Sequence, residues 1–219
     1  RASAIRFDFL LGRRPKPRSL PGKMKRDRVF LDHNATTPLC TDARRAMCAA
    51  MDVVGNPSSV HAEGRAARAL IETARAQVAT AMGADGADVV FTSGATEAAA
   101  LALAGRGLVG AAVEHDAVRA WIDETLAVDA QGAVQVDAPE GAALQWANSE
   151  TGVVQDLPAG LAVSDMTQGF GKLPCDFIGS GARMALISAH KLGGPKGIGA
   201  LVLRRGQDVP AQISRVPRT

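Results

Sequence analysis

Short apolar runs bounded by glycines and polar residues constrain the fold of this chain more than any other feature. Runs of five residues occur at 88–92 (DVVFT), 184–188 (MALIS) and 199–203 (GALVL), and further short strands are predicted at 110–114, 142–147 and 160–165. Five residues is an ordinary length for a buried strand and too short for most helices. Helical patterns separate these runs along the chain. The alternation predicts an α/β fold with a largely parallel sheet.

Each predicted helix carries a start or stop signal. The expected helices span 41–51, 59–82, 96–104 and 116–127. Thr41 or Asp42 is the expected cap of the first helix, and Gly83 is expected to end the second in a left-handed conformation. A further short strand is predicted at 29–33.

Composition and charge exclude two classes of partner. Hydrophobic residues make up 47% of the 219-residue chain, yet no apolar stretch approaches the roughly 20 residues that cross a membrane. Residues 1–28 hold ten of the 25 basic residues and two of the 22 acidic ones, which leaves the remainder with a net charge of −5. Residues 29–219 are therefore net acidic and lack the basic character that is typical of nucleic-acid binding. We therefore expect a soluble, cytoplasmic protein that binds neither membranes nor nucleic acids.

The three cysteines and the first residues add to the same interpretation. Cys40, Cys48 and Cys175 are odd in number and lack metal-ligand spacing, which fits a reducing compartment and predicts no metal site. The chain begins with Arg1, and Met24 has the sequence context of a natural start. We interpret residues 1–23 as a basic tail with no fold of its own, either upstream or fragment-derived sequence.

Polar residues follow several of the predicted strands, where α/β sheets bind their ligands. The run VVFTSGATE is a strand, a small-residue turn and a helix start, which points backbone N–H groups and the Thr96 hydroxyl at an anion such as phosphate. His115, Asp165 and Lys191 each follow another strand. Taken singly, each has an ordinary explanation as a structural histidine, a turn cap or a surface lysine.

Taken together, these residues supply what pyridoxal phosphate requires. The set contains a lysine for an imine with the cofactor aldehyde, an aspartate for the protonated pyridine nitrogen, a flat ring to stack and a phosphate cradle. Lys191 must be near neutral to act as a base at the substrate. The joint pattern is far more specific than any of its members.

From about Val29 to Arg205, the sequence resembles the cysteine desulfurases of the class V aminotransferase group. The motifs occur in the family's order: LDHNATTP, GNPSSVHAEGRAAR, VVFTSGATEA, EHDAV, NSETGVVQD, SDMTQGFGKLPCDF and SAHKLGGPKGIGALVLRRG. The resemblance implies the large domain of an aspartate aminotransferase-like (fold type I) enzyme for residues 24–205. It also implies conversion of L-cysteine to L-alanine with transfer of sulfur as a persulfide.

The resemblance implies a role for each candidate site residue. Lys191 would bond to the cofactor and move protons at the substrate carbon, Asp165 would pair with the ring nitrogen, and His115 would stack on the ring. Gln168 would hydrogen-bond the phenolic oxygen. The residues implied for the phosphate are Ala95, Thr96, Ser188 and His190. A homodimeric full-length parent, a sulfur-acceptor protein and a part in iron–sulfur cluster biogenesis are implied as well.

Two departures from the family concern the site and its surroundings. Asn148 and Ser149 stand where the family usually has two asparagines, and the family's cofactor-contacting asparagine aligns more naturally with Ser149, so both are candidate contacts. Asn34 lies in the substrate-side segment and receives no role. The intervals from His115 to Asn148 and from Asp156 to Asp165 are short, which predicts a thin outer layer on that side of the sheet.

A third departure concerns activity. The resemblance stops after Arg205, before the family's glycine-rich segment, its nucleophilic cysteine and its substrate-binding arginine. We therefore expect residues 206–219 to be an off-family tail, the small C-terminal domain to be absent and the chain alone not to desulfurate cysteine. None of the three cysteines occupies the nucleophile's position. Selenocysteine lyase, another class V enzyme and a non-catalytic cofactor-binding fragment remain open as alternatives.

Overall fold

The computed structural model describes residues 28–210. The predicted tail at 1–23 and most of the predicted off-family tail at 206–219 lie outside these residues. The chain divides into two units, 1–31 and 32–219. Residues 28–31, the described part of the first unit, have no regular secondary structure. All helices and strands below belong to the second unit.

Within residues 32–210, five helices are interspersed with seven strands. The helices are α1 Thr41–Met51, α2 Ala62–Ala81, α3 Ala95–Leu103, α4 Asp116–Arg119 and α5 Phe177–Ser180. The strands are β1 Asp88–Thr92, β2 Val109–Ala111, β3 Asp123–Leu126, β4 Ala143–Gln145, β5 Val163–Asp165, β6 Met184–Ser188 and β7 Gly199–Leu203. Short 3₁₀ turns occur at Pro139–Gly141 and Ala189–Lys191.

The sheet is mixed but mainly parallel. Five strands lie in the order β1-β7-β6-β5-β4, and β2 pairs in parallel with β3. A parallel bridge between Val109 and Ala142 continues the sheet from β4 towards β2. Strands β4, β5 and β6 are parallel, whereas β7 runs antiparallel to both of its neighbours. The predicted α/β fold with a largely parallel sheet is confirmed.

The core lies on both faces of the sheet. Along β6, Met184 and Leu186 pack on one face while Ala185 and Ile187 pack on the other, and all are buried. Helix α3 covers the first face with small buried residues such as Ala98, which let the helix lie close to β6 and β7. Because side chains alternate along a strand, a strand buried on both faces is expected to be mostly apolar. The apolar runs MALIS and GALVL therefore predict strands from the sequence alone.

Several predicted elements are confirmed with small changes. The bounds of β1, β6, β7 and α1 agree with the sequence prediction. The N-cap of α1 is Cys40 rather than Thr41 or Asp42, and its thiol accepts a hydrogen bond from the N–H of Ala43 at 3.4 Å. Gly83 has φ +58°, the left-handed conformation expected after α2. The strands predicted at 110–114, 142–147 and 160–165 are shorter, at three residues each.

Two predicted elements are wrong. Residues 29–33 form no strand, and 33–35 form a turn. Just beyond that turn, the N–H of Thr37 bonds to the carbonyl of His190 at 2.8 Å rather than to a neighbouring strand. The predicted helix at 116–127 stops at Arg119, and 123–126 is strand β3. Strand β3 forms because it fills the open hydrogen-bonding edge of β2, an interaction between segments that local helix propensity does not reveal.

The connections on one side of the sheet are short. Between β4 and β5 the chain contains no helix, and between β2 and β4 its only helical segments are the four-residue α4 and the 3₁₀ turn at Pro139–Gly141, with β3 between them. This agrees with the thin outer layer predicted from the short intervals. Within residues 28–210, no helix has both the length and the apolar character needed to cross a membrane.

Candidate functional site

The carboxyl ends of β4, β5 and β6 and the start of α3 surround a cavity of about 700 Å³. That volume is within the range of small-molecule sites. Nine of the ten candidate residues line it: Ala95, Thr96, His115, Ser149, Asp165, Gln168, Ser188, His190 and Lys191. The tenth, Asn148, does not. The fold therefore brings together residues that lie up to about a hundred positions apart in sequence.

The start of α3 forms one end of the cavity. Gly94 is the N-cap of this nine-residue helix, and no side chain caps its first turn. A Cβ on Gly199 would lie 2.7 Å from the carbonyl carbon of Gly94, so only glycine lets β7 approach this turn so closely. An uncapped helix start presents backbone N–H groups and the positive end of the helix dipole. Ala95 and Thr96 are therefore placed to bind an anion.

Asp165 and Lys191 come from neighbouring strands. Asp165 ends β5, and its carboxylate accepts a hydrogen bond from the N–H of Thr167 at 2.9 Å. Lys191 follows β6 in the 3₁₀ turn, and its amine donates to the carbonyl of Asn34. The parallel register of β5 and β6 brings both strand ends to the same edge of the sheet.

The remaining candidate residues make contacts that fix their side chains. The His115 ring caps α4 by accepting from the N–H of Ala117 at 3.1 Å. Gln168 donates to the carbonyl of Asn34 at 2.9 Å. It also accepts from Lys172, whose pKa is lowered by partial burial and by the charge of Lys191.

Ser188 and His190 differ in burial. Ser188 is buried, whereas His190 is half-buried and lies 3.1 Å from the hydroxyl of Thr36 through its Nδ1. Partial burial lowers the pKa of His190, and the charges of Lys191 and Lys196 lower it further.

Asn148 serves the loop after β4. Its amide group donates to the carbonyl of Val113 at 3.0 Å and to Gln145 at 3.3 Å. Its side-chain oxygen accepts from the N–H groups of Glu150 and Thr151. Its hydrogen-bonding groups are thus engaged within the protein, while the neighbouring Ser149 reaches the cavity.

Two cavity residues, Lys196 and Gln145, and the neighbouring Asn34 were not assigned a role from the sequence. Asn34, given no role, accepts from both Lys191 and Gln168 through its carbonyl and donates to the Ser149 carbonyl at 2.6 Å. Lys196 also lines the cavity, and a lysine within the glycine-rich GGPKGIG could have signalled it. Gln145 had a signal too, because it is a polar residue at the end of an apolar strand.

Unpartnered polar atoms occur at the cavity wall. Gln145 Nε2 and Thr167 Oγ1 are buried without hydrogen-bond partners, and both residues line the cavity. Leaving a buried polar group unpaired costs about 1–3 kcal/mol. Together with the uncapped helix start, these atoms show that the cavity wall is suited to a polar, anionic ligand.

Residues 28–210 offer no cluster of metal ligands, and their cysteines lie outside the cavity. Among residues 28–210, no group of three or more His, Cys, Asp or Glu side chains is arranged to hold a metal ion. Cys40, Cys48 and Cys175 all lie within the described residues, and none lines the cavity. Partial burial, with a further contribution from the charge of Asp176, raises the pKa of the Cys175 thiol.

This fold and this cavity define a class of protein. The family model described as aminotransferase class-V matches residues 29–124 and 123–214. The chain therefore belongs to the aminotransferase class-V family.

The similar proteins are more specific. An IscS-like cysteine desulfurase of Mycobacterium tuberculosis is 36% identical over 81% of this chain and 56% of its own length. A cysteine desulfurase of a Frankia species is 39% identical over 80% of this chain and 52% of its own. The chain thus spans just over half the length of these relatives.

Solved structures agree with the fold. A NifS-like protein from Rickettsia africae is 33% identical with a TM-score of 0.75, covering 84% of this chain and 60% of that one. A structure described as SspA in complex with cysteine is 28% identical with a TM-score of 0.75, covering 84% and 64%.

The residues of the cavity fit pyridoxal phosphate. A lysine amine, a carboxylate and an uncapped helix start line one cavity, and these are the groups that its aldehyde, ring nitrogen and phosphate require. The unpartnered atoms of Gln145 and Thr167 add polar capacity beside them. The fit rests on the presence of the amine, the carboxylate and the helix start in the same cavity.

Proposed function

We propose that this chain carries the pyridoxal phosphate site of a cysteine desulfurase, which converts L-cysteine to L-alanine and passes the sulfur on as a persulfide. The observation that carries the proposal is the meeting of Lys191, Asp165 and the start of α3 in one cavity. The similarity to cysteine desulfurases supports the choice of reaction within the family. A homodimeric parent and a sulfur-acceptor protein belong to the same proposal.

The phosphate would be held at the start of α3. Ala95 and Thr96 offer backbone N–H groups and a hydroxyl there, and Ser188 and His190 approach from the end of β6. Lys196 adds a positive charge to the same wall. The helix dipole and this cation both favour a doubly charged phosphate.

The ring would lie between His115 and the end of β5. Asp165 would pair with the protonated ring nitrogen, and Gln168 would hydrogen-bond the phenolic oxygen. When bound, the cofactor supplies an electron sink for the bonds that break at the substrate carbon. Asp165 supports that chemistry by keeping the ring nitrogen charged, and the N–H of Thr167 holds the carboxylate in place.

Lys191 would bond to the cofactor aldehyde and move protons at the substrate carbon. The 3₁₀ turn after β6 fixes its backbone, and the carbonyl of Asn34 accepts a hydrogen bond from its amine. Release from Asn34 and loss of a proton make the amine a nucleophile and a base.

The cysteines favour a second candidate, cofactor binding without turnover by this chain alone. None of Cys40, Cys48 and Cys175 lines the cavity, so none is placed to take sulfur from a substrate bound there. We assign the sulfur-accepting nucleophile to none of them. This candidate predicts a visible absorption band on adding cofactor and no sulfide release from cysteine.

Borohydride reduction tests the site directly. The chain is mixed with pyridoxal phosphate, reduced and digested, and the modified peptide is identified by mass spectrometry. We expect the label on Lys191, and we expect Lys191→Ala to lose the visible band. Lys196→Ala serves as the matched control, because it removes another cavity lysine and should leave the label on Lys191. Label on Lys172 or Lys196 in the unsubstituted chain would contradict the assignment.

A further inference from the structure

A buried carboxyl group lies behind the cavity wall formed by Gln145. Glu114 immediately precedes His115 and is only 5% exposed. Its Oε1 accepts a hydrogen bond from the N–H of Gln145 at 3.0 Å, while its Oε2 is buried without a partner. The β4–β5 register places Gln145 opposite Asp165. Glu114, which follows β2, and Asp165, which ends β5, therefore both lie beside the end of β4.

The groups facing Glu114 offer no compensating positive charge. From β4 and its following loop come Gln145 and Asn148, which are neutral amides, and from β5 comes the carboxylate of Asp165. His115 is its neighbour in sequence and caps α4 through its own ring. None of the ion pairs among the described residues includes Glu114.

An ionised Glu114 would be costly in this position. A carboxylate oxygen that is buried and unpaired loses its hydration without gaining a donor, so such a group keeps its proton instead. Burial is the main cause that raises the pKa of Glu114 to about 8, the N–H of Gln145 offsets part of the rise, and the charge of Asp165 adds to it.

We infer that Glu114 is a positioning residue that holds a proton at neutral pH, so that Asp165 is the single anionic carboxylate presented to the ring nitrogen of the cofactor. The role in cofactor binding rests on the proposed function. A neutral Glu114 supports the end of β4 through Gln145 without competing with Asp165 for the positive charge. Ionisation of Glu114 would place a second negative charge next to Asp165 and disturb that arrangement.

Unfolding without cofactor tests the proton. Urea unfolding of the full chain is measured from pH 5 to 9 for the unsubstituted protein and for Glu114→Gln, which imitates the protonated acid. The folded pKa lies above the unfolded one, so the folded state binds more protons between them and loses stability as pH rises through this range. The ratio of unfolding constants, unsubstituted over Glu114→Gln, should rise by up to about tenfold per pH unit and level off above about pH 8. A ratio independent of pH would overturn the inference.

The link between the two carboxyl groups is tested by Asp165→Asn. The same pair of curves is measured in that background, with and without Glu114→Gln. Loss of the Asp165 charge should move the levelling-off point to lower pH, because one of the causes that raise the Glu114 pKa is removed. An unmoved point would show that the charge of Asp165 does not act on Glu114, which contradicts the inference. Should either variant fail to fold, a ¹³C NMR titration of glutamate carboxyl carbons in the unsubstituted protein gives the same pKa.

Cofactor binding tests the role in the site. At pH 7, Glu114→Gln should bind pyridoxal phosphate within about twofold of the unsubstituted chain, whereas Asp165→Asn should bind at least about tenfold more weakly. Equal losses in both variants would mean that Glu114 acts as an anion, which overturns the inference. If the unsubstituted chain binds no cofactor, the proposed function is contradicted, while the unfolding curves still decide whether Glu114 holds its proton.

Discussion

The cavity has one wall that belongs to the core and another that lies on the surface. The core wall comes from β5, β6 and α3, and every residue of β6 is buried. The surface wall comes from residues 34–37, which lead into α1, a helix without a single buried residue. The candidate ligands for phosphate and ring nitrogen lie on the core wall. The candidate ligand-binding groups are therefore attached to buried strands and a packed helix, whereas a few hydrogen bonds hold the segment opposite them.

The surface wall depends on contacts with one turn. Thr37 donates to the carbonyl of His190 through both its N–H and its hydroxyl, and the hydroxyl accepts from the N–H of Gly193 at 2.6 Å. The N–H of Cys40 bonds to the carbonyl of Gly193 at 2.8 Å. These bonds attach the surface wall to the turn that carries Lys191. Substitutions in the two walls should therefore differ in the size of their effects and in the measurement that detects them.

The largest expected difference comes from removing a side chain from each region. Leu186→Ala, in the fully buried β6, should lower the free energy of unfolding by about 2–5 kcal/mol because it leaves a cavity between the sheet and α3. Met51→Ala, at a position 74% exposed in α1, should change it by less than about 0.5 kcal/mol. Urea unfolding of both variants measures the contrast. Equal losses would show that α1 is packed and that the comparison is wrong.

The next effect concerns ligand binding on the core wall. Asp165→Ala removes a charge-assisted hydrogen bond worth about 1.5–3 kcal/mol, so the dissociation constant for pyridoxal phosphate should rise roughly ten- to a hundredfold. Titration of the visible absorption band measures it. Asp156→Ala is the matched control, since Asp156 is exposed and does not line the cavity. Unchanged affinity in Asp165→Ala would remove Asp165 from the site.

A smaller effect is expected on the surface wall. Thr37→Val keeps the side-chain shape and removes the hydroxyl bonds to His190 and Gly193, which should cost about 1–2 kcal/mol. Hydrogen exchange of residues 34–40 should accelerate more than that of β6, because β6 does not depend on those bonds. Thr73→Val, at an exposed position in α2, should leave exchange in both segments unaltered. Faster exchange spread equally over both walls would mean that they unfold together.

The smallest effect concerns the cap of α1. Cys40 accepts from the N–H of Ala43 through sulfur, a weaker acceptor than oxygen. Cys40→Ser should therefore raise the free energy of unfolding by up to about 0.5 kcal/mol, since serine is among the best N-caps. Cys48→Ser, at an exposed position within α1, is the control and should have no stabilising effect. A loss of stability in Cys40→Ser would show that the thiol packs rather than caps.

The difference between the walls also explains what the sequence could predict. Strands β6 and β7 could be located from their apolar runs because every residue of both strands is buried. The lysine, aspartate and helix start could be placed together because parallel strands end at one edge of a sheet. The prediction of a helix at 116–127 was wrong because β3 forms by pairing with the edge of β2. A local sequence pattern does not show that pairing.

Other features could not be read from residue type at all. The contacts of Asn34 with Lys191 and Gln168 join residues more than a hundred positions apart. The burial of Glu114 and the unpartnered atom of Gln145 depend on how two strand ends approach each other. The Asn148 side chain bonds to the backbone of its own loop, whereas Ser149 lines the cavity. The local backbone conformation, and not the residue type, determines which of the two lines the cavity.

The antiparallel direction of β7 has a consequence for how this family can vary. Ser188 ends β6 and pairs with Gly199, which begins β7, so residues 189–198 leave the sheet and return to it at one point. That excursion carries both Lys191 and Lys196. Lengthening a loop between fixed ends costs little, about 0.6 kcal/mol for each doubling. Insertions and exchanges in this loop can therefore remodel the ligand's surroundings while the strand order and the packing on both faces of the sheet stay the same.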